Sequence, residues 1–332
     1  MRGVPPKMVF RGTVALGILM RRWRWSIELA ALALLAAGAA AHAQSAPDLQ
    51  SAVLAVGQEP PPPGRFQPPV QDNGNAFVRF FRNGEWYYSW GYNKEYWAPS
   101  DTHVSQPSLG NNFTIHDVQG HDSFSWPALV NGDLFGPQYN IRIGRFINDE
   151  RTLGVEFSLD HTKYNNALGQ TANVTGLVGG VPTNENLKLD SNTFSEMLHN
   201  GANHVMVNAV YRYPLIGQTN ETLSVSALGK AGLGIMLPHT TDTILGNTNN
   251  VGSKTLSNAV GLTTGWWQLN GWTAGVEAGI RIVLWKPVYL EITDKVAYAY
   301  LGDLPAFMGT IQQSLLMNEI IVSIGFTYDG PR

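Results

Sequence analysis

The sequence predicts an all-β fold, an eight-stranded antiparallel transmembrane up-and-down β-barrel. Hydrophobic alternation of period two recurs eight times between residues 85 and 328. The connections between these segments are long and short by turns. No stretch of the mature chain offers the ~20 consecutive apolar residues that a membrane-crossing helix needs. Composition agrees: of 332 residues 44% are hydrophobic, 11% aromatic and only 14% charged, against about 25% charged in soluble domains. The absence of cysteine excludes disulfide scaffolds, thiolate metal sites and cysteine nucleophiles. The formal net charge is −3, with no basic run in the mature region, which leaves no footing for nucleic acid.

Residues 1–43 are predicted to be a signal peptide. Arg21, Arg22 and Arg24 precede the alanine-rich run Leu29 to Ala41, too short to span a bilayer, and Ala41-His42-Ala43 places cleavage after Ala43. The leader carries +5, so removing it from −3 leaves an exported chain of −8. Residues 44–75 hold seven prolines, Pro60 to Pro63 among them, and no apolar period. Such a segment favours extended polyproline II and is expected to be a periplasmic tether. Residues 76–332 are assigned to the barrel.

Each barrel segment sets one apolar face against a mixed one. Glu85–Asn93 puts Trp86, Tyr88, Trp90 and Tyr92 opposite Ser89 and Gly91. Gln138–Ile147 sets Tyr139, Ile141 and Ile143 against Asn140, Arg142 and Gly144. Leu153–Thr162 sets Leu153, Val155, Phe157 and Leu159 against Glu156, Ser158 and Asp160. His204–Tyr213 sets Val205, Val207, Ala209 and Tyr211 against His204, Asn208 and Arg212. Leu223–Leu237 opposes its aliphatic face with Ser224, Ser226 and Lys230, and Asn270–Leu284 does so with Thr273, Glu277 and Arg281. Val288–Leu301 carries Glu291, Thr293 and Lys295 on the mixed face, and Leu315–Tyr328 carries Glu319, Ser323 and Thr327.

The long connections are 94–137, 164–203 and 238–269; the short ones are 148–152, 214–222 and 285–287, and the last is about ten residues. Tight turns at one end and long loops at the other mark an outer-membrane barrel, and an even strand count puts both termini in the periplasm. The expected partners are outer-membrane lipids, lipid A among them, and the barrel-assembly machinery during biogenesis. Aromatics fall at the strand ends as interfacial girdles: Tyr92, Tyr139, Trp272, Tyr298 and Tyr300 at the long-loop side, Tyr211, Tyr213, Phe326 and Tyr328 at the other.

An eight-stranded barrel is filled by its own side chains. Arg142, Glu156, Asp160, Arg212, Lys230, Glu277, Arg281, Glu291, Lys295 and Glu319 are therefore expected to pair inside, since buried charge is tolerated only when paired. Asp294 breaks the scheme, having the parity of Ile292 and Val296. A β-bulge near Thr293 is expected to turn it inward.

Three phrases resemble the lipid A oxidase group of small outer-membrane barrels: Val205–Pro214 (VMVNAVYRYP), Gly232–His239 (GLGIMLPH) and Gln268–Arg281 (QLNGWTAGVEAGIR). Gly154–Tyr164 (GVEFSLDHTKY) is similar to a strand-end segment of the same group. The resemblance runs over residues 136–328 and leaves out the first long loop. It implies oxidation of the proximal glucosamine of lipid A to an aminogluconate, using oxygen and a divalent metal ion.

The seven mature histidines, His103, His116, His121, His161, His199, His204 and His239, all fall in long loops or at the strand ends beside them. Imidazole is the usual metal ligand and proton carrier near neutral pH. His161, His204 and His239, at neighbouring strand ends, with Asp160 beside them, are the candidate catalytic set. His121-Asp122-Ser123 has the spacing of a deacylase His-x-Ser pair, but it lies within a loop. The alternative is a non-enzymatic outer-membrane barrel with a structural or loop-mediated ligand-binding role.

Overall fold

The computed structural model describes residues 84–329 apart from 220 and 263. The signal-peptide and tether assignments lie outside these residues. Its barrel strands are β1 (Glu85–Trp97), β2 (Tyr139–Phe146), β3 (Leu153–Asp160), β4 (Ala202–Ile216), β5 (Ser224–Pro238), β6 (Trp272–Trp285), β7 (Val288–Ala306) and β8 (Gly309–Asp329). Each pairs antiparallel with the next, and β1 also pairs with β8 from Glu85↔Asp329 to Trp97↔Met317. That last ladder closes the sheet into a barrel. Outward positions such as Phe157, Val207, Leu233, Val276, Ile292, Val322 and Ile324 are exposed, while the inward charged set is buried. An apolar outside around a polar inside inverts a soluble barrel and is the architecture of a transmembrane one. Among the described residues no helix is long and apolar enough to cross a membrane.

Beyond these barrel strands the same sheet takes in four loop strands, twelve in all among the described residues. The connection between β7 and β8 is not a loop of about ten residues; both strands continue to a tight turn at Phe307–Met308. This tall hairpin offers Thr310–Gln313 to the loop strand Ser100–Gln106. The sheet then runs on through Asn111–Val118, Thr171–Val178 and Val181–Lys188. A second sheet of five short strands, Gly120–His121, Tyr164–Asn166, Phe194–Leu198, Thr241–Ile244 and Asn247–Asn250, stands beside it. Val104, Ile115, Val174, Phe194, Leu198 and Ile244 from these sheets join Leu301, Leu304, Ile311 and Leu315 of the hairpin in one apolar core. The long loops form a folded module.

No bulge lies near Thr293: the register of β7 is unbroken from Tyr289 to Tyr300 against β6 and from Val288 to Leu301 against β8. Asp294 keeps its outward parity and instead accepts a hydrogen bond from the Asn318 amide one strand away. A local partner satisfies the carboxylate without distorting the ladder.

At the short-turn end the barrel is plugged. Tyr87, Phe146, Val210, Val283 and Tyr289 form a small buried cluster. The Arg281 guanidinium lies 4.4 Å from the Tyr87 ring and 4.1 Å from that of Tyr289, and Arg212 lies 3.7 Å from that of Phe146. These rings fit because glycines face them. A Cβ on Gly144 would come within 2.1 Å of the Tyr87 ring, and one on Gly325 within 2.2 Å of Tyr289. Gly144→Val is therefore expected to cost about 1–3 kcal/mol by overpacking. It should lower the temperature at which the compact, fast-migrating form is lost on a semi-native gel.

Candidate functional site

Between the aromatic plug and the apolar module lies a buried ion-pair network, and all ten charged residues expected inside are in it or beside it. Lys230 is its hub, reaching Glu291 at 2.7 Å, Glu277 at 3.0 Å and Glu156 at 3.1 Å. Arg142 pairs with Asp160, Glu156 (3.6 Å) and Glu277 (3.7 Å). Arg281 holds Glu291 at 2.8 Å, and Lys295 joins Asp160 to Glu319. Arg212 makes a two-pronged contact with Glu85, 3.0 Å on each prong. Parity also reaches Glu85, Tyr87 and Glu95, which share the inward face of β1 with Ser89 and Gly91. Attention to the aromatic alternation of that strand hides them.

Further hydrogen bonds cross the lumen at the level of the network. Tyr87 donates to Glu156 at 3.0 Å, and Asn208 bridges Glu156 and Ser158. Above it Met206, Ala297, Ala299, Leu315 and Met317 close the lumen with apolar groups.

The four candidate catalytic residues do not converge. Asp160 faces His204 across the β3–β4 ladder but spends its carboxylate on Arg142 and Lys295. His204 is inside the lumen, with Nδ1 2.8 Å from the Thr273 hydroxyl. His161 is on the other side of the wall, stacked at 4.7 Å on the outward-facing Tyr139, with Nδ1 2.7 Å from Asn203 Oδ1. His239 stacks on Trp266 at 4.0 Å and bonds to its carbonyl. His239 has His199 for a neighbour, and burial, with the charges of His239 and Lys163, lowers the His199 pKa. Among the described residues no group of three or more His, Asp and Glu is arranged to hold a metal ion. The residues present do not fit the divalent metal that the lipid A oxidase resemblance implies. In the first loop His116 Nδ1 is 3.0 Å from Asp101 and its Nε2 2.8 Å from Thr175; the pair serves to join two loop strands.

A pair missed in the sequence lies in the module core. Glu196 and Asp242 face each other across two short strands, both fully buried. The Gln313 amide, oriented to satisfy every neighbour, donates to Glu196 at 3.0 Å and accepts from Tyr164, Thr102 and Ser100 hydroxyls. Asn249 donates to Asp242 at 3.5 Å. Burial, then the neighbouring Asp242, pushes Glu196 up to about 8; burial pushes Asp242 up to about 7. Nothing in the sequence marks the pair, because strand register alone creates it.

The architecture defines a class, the small outer-membrane β-barrels. No family model matches the chain, and no curated protein matches it. Among solved structures it is similar to the outer membrane protein OprG of Pseudomonas aeruginosa, with 13% identity over 75% of this chain and 97% of that one and a TM-score of 0.32. Neisserial surface protein A gives 13% identity, 74% and 97% coverage and a TM-score of 0.31. The outer membrane protein AlkL gives 11%, 79% and 96%, with a TM-score of 0.32. A likeness this distant is one of fold alone.

Two outcomes follow. Arg142→Ala leaves Asp160, Glu156 and Glu277 short of a partner inside the barrel, and breaking such buried pairs costs about 3–5 kcal/mol. Chemical unfolding in detergent should show a loss of that order, while Lys188→Ala on the exposed hairpin should change nothing measurable. The acid pair gives the module a pH dependence of definite sign. The folded module holds protons that the unfolded one releases, so its stability is fullest below the ordinary carboxylate range. It then falls as pH rises from about 4 to about 8. Protection factors at Phe194–Leu198, with the intrinsic pH dependence of amide exchange divided out, should fall over that window, and Glu196→Gln should flatten that fall.

Proposed function

We propose that this chain is a non-enzymatic outer-membrane barrel that holds a folded β-module outside the cell for ligand binding. The observation that carries this reading is the apolar core shared by the loop sheets and the tall β7–β8 hairpin. Loops that serve only to join strands need no core of their own. The barrel beneath supports the same view, since its lumen is packed with paired charges and closed at both ends by apolar side chains. Glu85 of β1 and Asp329 of β8 pair at the short-turn end, which this reading places in the periplasm. The module then projects beyond the lipid A leaflet.

Lipid A itself is the substrate that the oxidase resemblance suggests, and one measurement decides between the two. Lipid A from cells expressing the chain should have the same mass spectrum as lipid A from cells lacking it. A gain of one oxygen on the glucosamine unit would establish the enzyme. In planar bilayers the purified protein should give no conductance steps, and steady steps would overturn the closed lumen. Ile115→Asp should make the module protease-sensitive while the barrel keeps its heat-modifiable migration, because the module core and the lumen network share no side chains.

A further inference from the structure

The segment from Phe124 to Gly136 belongs neither to the lumen nor to the module core. It follows the short strand Gly120–His121 and leads into β2. Its thirteen residues include one charged side chain, Asp133. That carboxylate is turned onto the backbone, accepting from Phe135 at 3.1 Å and Gly136 at 2.9 Å. Trp126–Val130 makes a short helix with Ser125 at its cap, and Asn131 and Asp133 close onto the Pro127 and Ala128 carbonyls at 3.0 and 2.9 Å. The segment thus satisfies much of its backbone internally, as a chain in contact with lipid must.

Its apolar side chains point the other way. Val130 is 82% exposed, Trp126 66%, Phe135 60% and Leu134 56%. Scattered apolar residues need no explanation, but a contiguous patch does. This patch has a neighbour. Phe135 packs edge-on against Trp90 at 4.9 Å and Tyr139 at 5.4 Å, which stack on each other at 5.5 Å. Tyr139 faces outward at the long-loop end of β2, the height at which aromatic rings meet headgroups, and Trp90 faces outward beside it, midway along β1. Lys163 clamps the end of the segment through the Gly136 carbonyl at 2.9 Å. Through Phe135 the exposed segment joins the lipid-facing wall.

We propose that residues 124–135 form an interfacial anchor, lying in the headgroup–acyl boundary of the outer leaflet with Trp126, Val130 and Leu134 in lipid. The occupant is lipid rather than protein because the patch extends the surface that already faces lipid. The proposal rests on the membrane-barrel reading above. Its effect is to fix one flank of the module against the membrane plane, as amphipathic interfacial segments fix peripheral proteins.

The chain has no cysteine, so single thiols can be placed at will. Val130→Cys, Val322→Cys on the outer wall of β8 and Asn186→Cys on the module hairpin would each carry an environment-sensitive fluorophore. Each protein is reconstituted in phosphatidylcholine vesicles containing nitroxide lipids of shallow or deep position. The label at position 130 should be quenched by shallow nitroxides about threefold more than the label at 186, while 322 responds to the deep ones. Quenching at 322 with none at 130 would overturn the anchor and leave the barrel standing; quenching at neither would overturn both. Shielding at 130 that is insensitive to nitroxide lipid and lost on dilution would mean a second copy covers the patch, and would equally overturn the anchor.

Discussion

A bilayer core offers no water to satisfy backbone N–H and C=O groups, so the ladder between β1 and β8 governs the rest of the structure. Without it, two long strand edges would face hydrocarbon. With it, every outward position is committed to lipid and every inward one to a narrow lumen. The polar residues of the inward face then have only one another as partners. That is why Lys230 is met by three carboxylates and Arg142 by three.

The lumen is stratified. Aromatic rings and two guanidinium groups close the short-turn end, ion pairs fill the middle, and apolar residues of the module close the other end. Single side chains bridge neighbouring layers. Tyr87 links the first two, packing on Phe146 at 5.2 Å while donating to Glu156. The Trp97 ring links barrel to module, packing at 5.3 Å against Tyr164, whose hydroxyl lies against Gln313 beside the Glu196–Asp242 pair. β7 and β8 continue as strands from the barrel into the module, their pairing shifting register once, between Leu301 and Leu304.

The candidate site shows where pattern reasoning loses its grip. His161, His204 and His239 are neighbours by strand order, and strand order is what periodicity yields. Parity already sets His161 against His204, because Leu159 and Asn208 lie on opposite faces. The regular β3–β4 register keeps them apart. Asp294 shows the converse. Its parity and the unfavourable burial of a carboxylate argued for a bulge, but a partner at Asn318 meets the same need at lower cost. That residue is twenty-four positions away in sequence and reachable only across the strand pair.

Alternation and connection length by themselves determined the membrane-spanning class, the strands from Trp86 to Phe326 and the charged residues of the lumen. A period of two allows each strand one inward face, and the lipid leaves no choice of which. The tertiary structure decided what the loops are. Glu196 meets Asp242, Thr102 meets Gln313, and Phe135 reaches Trp90 through registers and packing set by residues far apart in the chain. Short loop strands rich in Asn, Thr and Gly carry little period of their own. Their partners are fixed only when the β7–β8 hairpin supplies an edge to build on and an apolar core to close over.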